Sequence, residues 1–308
     1  MEPDHLRLFL HLSESLNFSR TSRERNVPAP TLTRIIQRLE AGVGCQLFVR
    51  GRRFVELTAA GRAFAAYSRN ALSEWETFRS GLGKAPRLAG ELRMYCSVTA
   101  SYTILPPVLR PFLDEHPDVH LTLTTGDAGL ALDRVMRQEV DVAITPLSQA
   151  VPDELETLLF LESPLVFITS RTRKPLRKAL ETASPDWSKI PLILPEAGHL
   201  RQEIDAWLRA RKAIPRVHSS VSGHEGILSL VNLGLGAGII PLIVLQKSLF
   251  RSEVETADVS PPLPKFRVGF AARRSQMRRP IIAGFWEALR RAAEKNVSRA
   301  VDLSMRRR

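Results

Sequence analysis

Between Thr31 and Arg38 the chain places Thr31, Thr33, Arg34, Gln37 and Arg38 within eight residues. Arginine, glutamine and threonine side chains are suited to bonding base edges and phosphates. A second basic group follows at Arg50, Arg52 and Arg53. Arginines so clustered reach phosphates or a narrow minor groove, giving affinity that falls with salt. Further along are residues suited to holding a small anion: Ser97, Thr99, Ala100 and Ser101; Thr125, Gly126 and Asp127; Thr145; Arg201; and Gly223, His224 and Glu225. Hydroxyls and free amides at helix starts, with an arginine able to grip a carboxylate in two places, make a carboxylate receptor.

These residues need elements to position them. Leu32, Ile35, Ile36 and Leu39 recur at i, i+3, i+4 and i+7, so residues 30–41 are predicted to form an amphipathic helix with Thr33, Arg34 and Gln37 on its polar face. A short helix from near Ser19 and the turn Asn26-Val27-Pro28-Ala29 precede it, and Leu6, Phe9, Leu10, Leu12 and Leu16 give a first helix its apolar side. Gly42 and Gly44 end the periodicity, and residues 47–50 and 54–57 read as a hairpin with the arginines at its tip. Thr58 is positioned to cap a long helix reaching Gly81 or Gly83. Along it Phe64, Ser68, Ala71, Trp75, Phe78 and Leu82 alternate by four and three, as the seam of a coiled coil does. From Gly90 on, strand-like and helix-like stretches alternate in two successive units, and residues 266–272 with a helix over 281–295 return to the first. The expectation is parallel α/β with a cleft between two lobes, ligands lying at the carboxyl ends of strands.

Phe18-Ser19-Arg20, Leu32-Thr33-Arg34, Gln37-Arg38-Leu39-Glu40, Leu47-Phe48-Val49-Arg50, Arg53 and Leu57-Thr58-Ala59-Ala60-Gly61 resemble the N-terminal signature of LysR-type transcriptional regulators over about sixty residues. Departures are Pro28, where the family usually has a capping serine, Arg25 in place of an apolar residue, and Ser22 in place of alanine. The resemblance implies an N-terminal all-α winged helix-turn-helix (1–58), a linker helix for dimerisation with a hinge (59–89), and a C-terminal α/β two-lobed effector domain like periplasmic binding proteins (90–300). A basic tail at 301–308 is assigned no role. It further implies a double-stranded DNA operator, dimers through the linker helix and tetramers beyond them, RNA polymerase as a partner, and a small-molecule effector rather than a cofactor. Stretches such as 95–100, 123–128 and Gly223-His224-Glu225 resemble one branch in particular, whose regulator activates the gene for acetohydroxy acid isomeroreductase in isoleucine and valine synthesis. The implied effectors are 2-acetolactate and 2-aceto-2-hydroxybutyrate. The alternative is a regulator of the same family for another pathway, sensing an aromatic or other small organic acid.

Charge is consistent with that division. The chain has 44 Lys+Arg against 32 Asp+Glu, yet residues 88–272 hold 19 basic and 21 acidic, so the basic excess belongs to the two ends. Cys45 and Cys96 lack metal-ligand spacing and read as two semi-buried thiols, and the acidic start Met1-Glu2-Pro3-Asp4 lacks an apolar export segment, so a cytoplasmic location is expected. Residues 226–245 are uncharged and long enough to span a bilayer, but their glycines, Asn232 and Pro241 punctuate them as helix, turn, strand and helix. An enzyme is not expected, and no catalytic or metal site is assigned: a Gly-x-Ser-x-Gly elbow is missing, and Gly234-x-Gly236-x-Gly238 precedes a strand instead of following one.

Overall fold

Helices α1 (Pro3–Ser15), α2 (Phe18–Glu24) and α3 (Ala29–Val43) bury Leu6, Phe9, Leu12, Leu32, Ile36 and Leu39 against one another. Their limits are set locally. Asn17 caps α2 by accepting the Arg20 N–H at 2.9 Å. The start of α3 has no side-chain cap at Pro28 but has Pro30 in its first turn, and Gly44 ends the helix at φ 78°. The structure, a computed structural model, describes residues 2–51, 54–81, 88–147 and 151–305.

The hairpin consists of β1 (Phe48–Arg50) and β2 (Val55–Leu57), paired antiparallel, and α4 (Ala59–Gly81) follows. Thr58 ties hairpin to helix: its Oγ1 donates to the Gln46 carbonyl at 2.8 Å and accepts the Gly61 N–H at 2.8 Å. Gly61 has a steric reason, since a Cβ there would lie 2.1 Å from the Leu47 carbonyl oxygen. The expected seam along α4 divides. Phe64 and Ser68 are buried in this unit's own core, the Phe64 ring 4.8 Å from that of Phe9, and the exposed apolar side chains are Tyr67, Trp75 and Phe78. Leu82 lies outside the described residues, as do residues 83–87 of the expected linker and hinge.

The chain divides into two compact units, one on Met1–Glu91, His116–His120 and Arg279–Ile281, and one on Leu92–Glu115, Leu121–Arg278 and Ile282–Arg308. The second contains β3 (Gly90–Cys96), α5 (Val98–Thr103), α6 (Pro106–Glu115), β4 (Val119–Thr125), α7 (Ala131–Met136) and β5 (Val142–Pro146). Next come β6 (Leu155–Ser170), α8 (Lys174–Leu180), β7 (Pro191–Pro195), α9 (Gly198–Arg209), β8 (Arg216–Val221), α10 (His224–Asn232), β9 (Ala237–Pro241) and α11 (Leu242–Lys247). Strands β10 (Val254–Ala257) and β11 (Lys265–Arg273) and helix α12 (Pro280–Met305) complete it. Residues 98–115 form two helices rather than one, because Pro106 and Pro107 restart the chain after Leu105. Helix α12 continues through part of the expected tail to Met305.

Strand order is β4-β3-β5-β11-β6-β9-β7-β8, with β10 also on β6. The expectation of parallel α/β is corrected here: β3–β5, β7–β8 and β7–β9 are parallel, whereas β6, β10 and β11 pair antiparallel. The physical cause is the long β6. Its residues Leu155 to Pro164 pair with β11 in the first lobe, and Leu165 to Ile168 pair with β9 in the second, so one strand crosses between lobes and β11 returns beside it. In the second lobe successive side chains feed two cores. Phe167, Leu192 and Ile239 pack with Trp187 and Trp207, while their neighbours Ile168, Ile193 and Ile240 pack with Ile227 and Val231. In the first lobe Arg93 and buried Asp141 form a close pair at 2.8 Å, with Asp141 also accepting the Arg93 N–H at 2.9 Å. The described part of 226–245 is α10, a turn, β9 and α11, and no helix among the described residues is long and apolar enough to cross a membrane.

Candidate nucleic-acid interface and effector cavity

Burial of Leu32, Ile36 and Leu39 turns the other face of α3 outward, where Thr31, Arg34, Gln37 and Arg38 are exposed. Among the described residues no carboxylate lies within ion-pair distance of Arg34 or Arg38, so both guanidinium groups are available to phosphates or base edges. Thr33 is half-buried and donates to the Ala29 carbonyl at 3.0 Å, leaving less of it for a partner. Arg50 lies over the Phe18 ring at 4.8 Å, with Nη2 3.4 Å from Glu40 Oε2. Arg52 and Arg53 fall outside the described residues. Glu40 has a function the sequence reading missed: its Oε1 accepts the N–H groups of Leu47 at 2.9 Å and Phe48 at 3.3 Å, fastening the hairpin to α3.

In the second unit a cavity of about 570 Å³ opens between the lobes. Of the residues expected to meet an effector, Ser97, Thr99, Ala100, Gly126, Asp127, Thr145, Gly223, His224 and Glu225 line it. Ser101, Thr125 and Arg201 do not. The Ser101 hydroxyl donates to the Val98 carbonyl at 2.6 Å, and Thr125 is an exposed strand-end residue. Arg201 Nε bonds both Asp205 carboxylate oxygens at 3.0 Å, and Nη1 donates to the Pro195 carbonyl at 2.9 Å. A residue four further along the same helix has taken the arginine, and that i,i+4 spacing was visible in the sequence.

The hydroxyl-rich start of α5 is largely satisfied from within. Ser97 Oγ accepts the Ala100 N–H at 3.2 Å, and Thr99 Oγ1 donates to Glu225 Oε1. Tyr102, overlooked in the sequence, also donates to Glu225 Oε1, at 2.9 Å. Asp127 Oδ1 accepts the Gly129 N–H at 2.9 Å. The N-cap residues of α9 and α10, Ala197 and Gly223, by contrast offer no side-chain cap, and both starts line the cavity, although Glu225 in the first turn of α10 accepts its own backbone N–H. Gly198, His199 and Phe266, which were not among the expected site residues, also line the cavity. Their one sequence signal was the glycine, which α9 uses at φ 87°.

Charge inside the cavity is unusual. Among the described residues no Lys or Arg lines it, whereas Asp127 and Glu225 do. Burial pushes the His224 imidazole down to about 4, so it is neutral near pH 7, its ring edge-on to Phe266 at 6.1 Å. Burial pushes Glu225 upward, but hydrogen bonds from Thr99, its own backbone N–H and Tyr102 outweigh this and leave it below the usual carboxylate range. Burial and the bond to Glu225 push Tyr102 up to about 12. The arrangement can hold a small anion on backbone amides. The two thiols differ from the expectation of two semi-buried groups: Cys45 is exposed, and Cys96 is buried and pushed up to about 11 by that burial.

Comparison with known proteins gives the geometry its family. Residues 3–62 match the model of bacterial regulatory helix-turn-helix proteins of the lysR family, and residues 85–294 match the LysR substrate binding domain. The HTH-type transcriptional activator IlvY of Salmonella typhimurium is 37% identical over 293 residues, covering 94% of this chain and 99% of its own. The HTH-type transcriptional regulator IlvY of Escherichia coli is 36% identical over the same length, with the same coverage. Full-length CbnR, solved in complex with its target DNA, superposes with a TM-score of 0.65 at 25% identity over 95% of this chain and all of that one. The chain therefore belongs to the LysR family of bacterial regulatory helix-turn-helix proteins, DNA-binding regulators rather than enzymes.

Proposed function

We propose that this regulator activates isoleucine and valine biosynthesis in response to acetohydroxy acids, 2-acetolactate or 2-aceto-2-hydroxybutyrate. The observation that carries the reading is the pair of helix starts, α9 and α10, whose N-cap residues have no capping side chain and which face one cavity with no Lys or Arg among the described residues that line it. Such a site suits a small monocarboxylate, whose charge is met by free N–H groups and helix dipoles. The IlvY relatives direct the choice toward branched-chain synthesis. Apolar lining from Ile104, Leu132, Ile144, Val244 and Phe266 suits a branched or aromatic body, which keeps an aromatic acid as the competing effector.

In this reading, dimers form through the exposed apolar side chains of α4, and pairs of dimers hold two or more half-sites of a bent operator in the cytoplasm, beside RNA polymerase. The effector binds both lobes and narrows the cleft, shifting the population toward a posture in which the DNA-binding units are differently spaced. Titration of the full-length protein with 2-acetolactate, paired with footprinting, tests this. Saturable binding with a changed hypersensitivity pattern is expected. Binding of an aromatic acid alone would overturn the pathway, and an unchanged footprint and bend would overturn the mechanism.

A further inference from the structure

Glu225 is the charged group of the cavity whose surroundings hold it in place. Thr99 and Tyr102, both from the first lobe, donate to the same oxygen, Oε1, while Glu225 itself belongs to the first turn of α10 in the second lobe. Its other oxygen, Oε2, points toward Gly223, where a Cβ would stand 3.3 Å away, and Gly223 lines the cavity. The carboxylate also accepts its own backbone N–H, and with three donors on about four lone-pair sites it keeps an acceptor position for a hydroxyl. We propose that Glu225 selects the effector by accepting a hydroxyl carried next to its single carboxylate and by repelling any ligand with a second carboxylate. The inference rests on the reading of this cavity as a monocarboxylate site and goes beyond it by naming the chemistry that is discriminated.

Three observations support it. The uncapped start of α9 provides amides for one carboxylate, and among the described residues the cavity has no Lys or Arg to neutralise another. Asp127 adds a second negative group to the lining, so a dianion meets two like charges. A polar group left unpaired when the ligand lacks its hydroxyl costs more than a missing apolar contact, so a site built around an acceptor rejects the deoxy analogue. A simple tie between lobes would instead change the affinity of every ligand together.

The test is a ligand-observed NMR titration of the full-length protein at pH 7 with 2-hydroxyisobutyrate, isobutyrate and citramalate, plus 2-acetolactate as reference. The wild type is expected to prefer 2-hydroxyisobutyrate at least about tenfold over each of the other two simple acids. In Glu225→Ala the preference over isobutyrate should shrink to about threefold or less. In Glu225→Gln, which keeps an acceptor without charge, citramalate should come within about threefold of 2-hydroxyisobutyrate. Equal binding of hydroxy and deoxy acids by the wild type overturns this role for Glu225 while leaving the monocarboxylate site intact, and it needs no variant to fold. Parallel changes in all affinities on substitution would show a structural tie and overturn the proposal. If no monocarboxylate binds, 2-acetolactate included, the proposed function falls and this inference with it.

Discussion

Among the described residues, Arg34 and Arg38 on α3 stand exposed and without carboxylate partners, whereas the cavity in the second unit is lined by two carboxylates and no Lys or Arg. The difference follows from what each must hold. A duplex offers many phosphates at the surface, and long cationic side chains can reach them and release counterions. A small monoanion enclosed among apolar groups is better met by amides already fixed in helix starts, because a buried cation would cost desolvation when the site is empty.

The strongest way to break this contrast is ionic strength. Between 50 and 200 mM salt, operator affinity should fall by about a thousandfold or more for an oligomer making six or more phosphate contacts, while effector affinity changes about twofold or less. Fluorescence anisotropy and ligand titration measure the two. A steep salt slope for the effector would mean that a side-chain cation holds it after all.

Acid should act on the cavity next. The folded His224 titrates near 4 against an ordinary value of 6.5, so the unfolded chain takes up a proton that the folded one refuses. That contribution is fully present above about 6.5 and is lost as pH falls toward 4, on the order of 3 kcal/mol at the limit. Urea titrations of the wild type and His224→Gln at pH 7 and pH 4.5 should show a smaller acid loss in the variant. Equal losses would remove His224 as the cause.

Arg34→Ala should cost about 1 to 3 kcal/mol on operator DNA and relax base preference, with little effect on random sequence. Arg50→Ala should cost less, since that side chain is already engaged by Glu40 and Phe18. Equal losses on both kinds of DNA in gel shifts would reduce Arg34 to a phosphate contact. The smallest effect on effector binding is expected from Arg201→Ala. Its partners are Asp205 and the Pro195 carbonyl, so the Kd should move about twofold or less while stability drops by about 1 kcal/mol. A tenfold or larger loss of effector affinity would restore it as a ligand contact.

Much of the DNA-binding unit was legible because its information is local. Four apolar residues at helical spacing decided which face of α3 is buried, and hence that Arg34, Gln37 and Arg38 point outward. The seam on α4 shows where that logic weakens: the spacing was read correctly as helical, but Phe64 packs on Phe9 of α1 and Ser68 is buried, while Tyr67, Trp75 and Phe78 are exposed. Periodicity identifies a face without naming what covers it.

In the second unit the sequence by itself determined the succession of strands and helices, the positions of most helix starts, and the residue types near strand ends. Tertiary structure decided that β6 runs through both lobes and makes the sheet mixed, that Asp205 claims Arg201, and that Thr99 and Tyr102 meet Glu225 from the opposite lobe. Elements are set by neighbours within a turn or two. Strand pairing and the charge balance of a cavity are set by residues more than a hundred positions apart, such as Thr99 and Glu225, whose proximity exists only after the chain has folded.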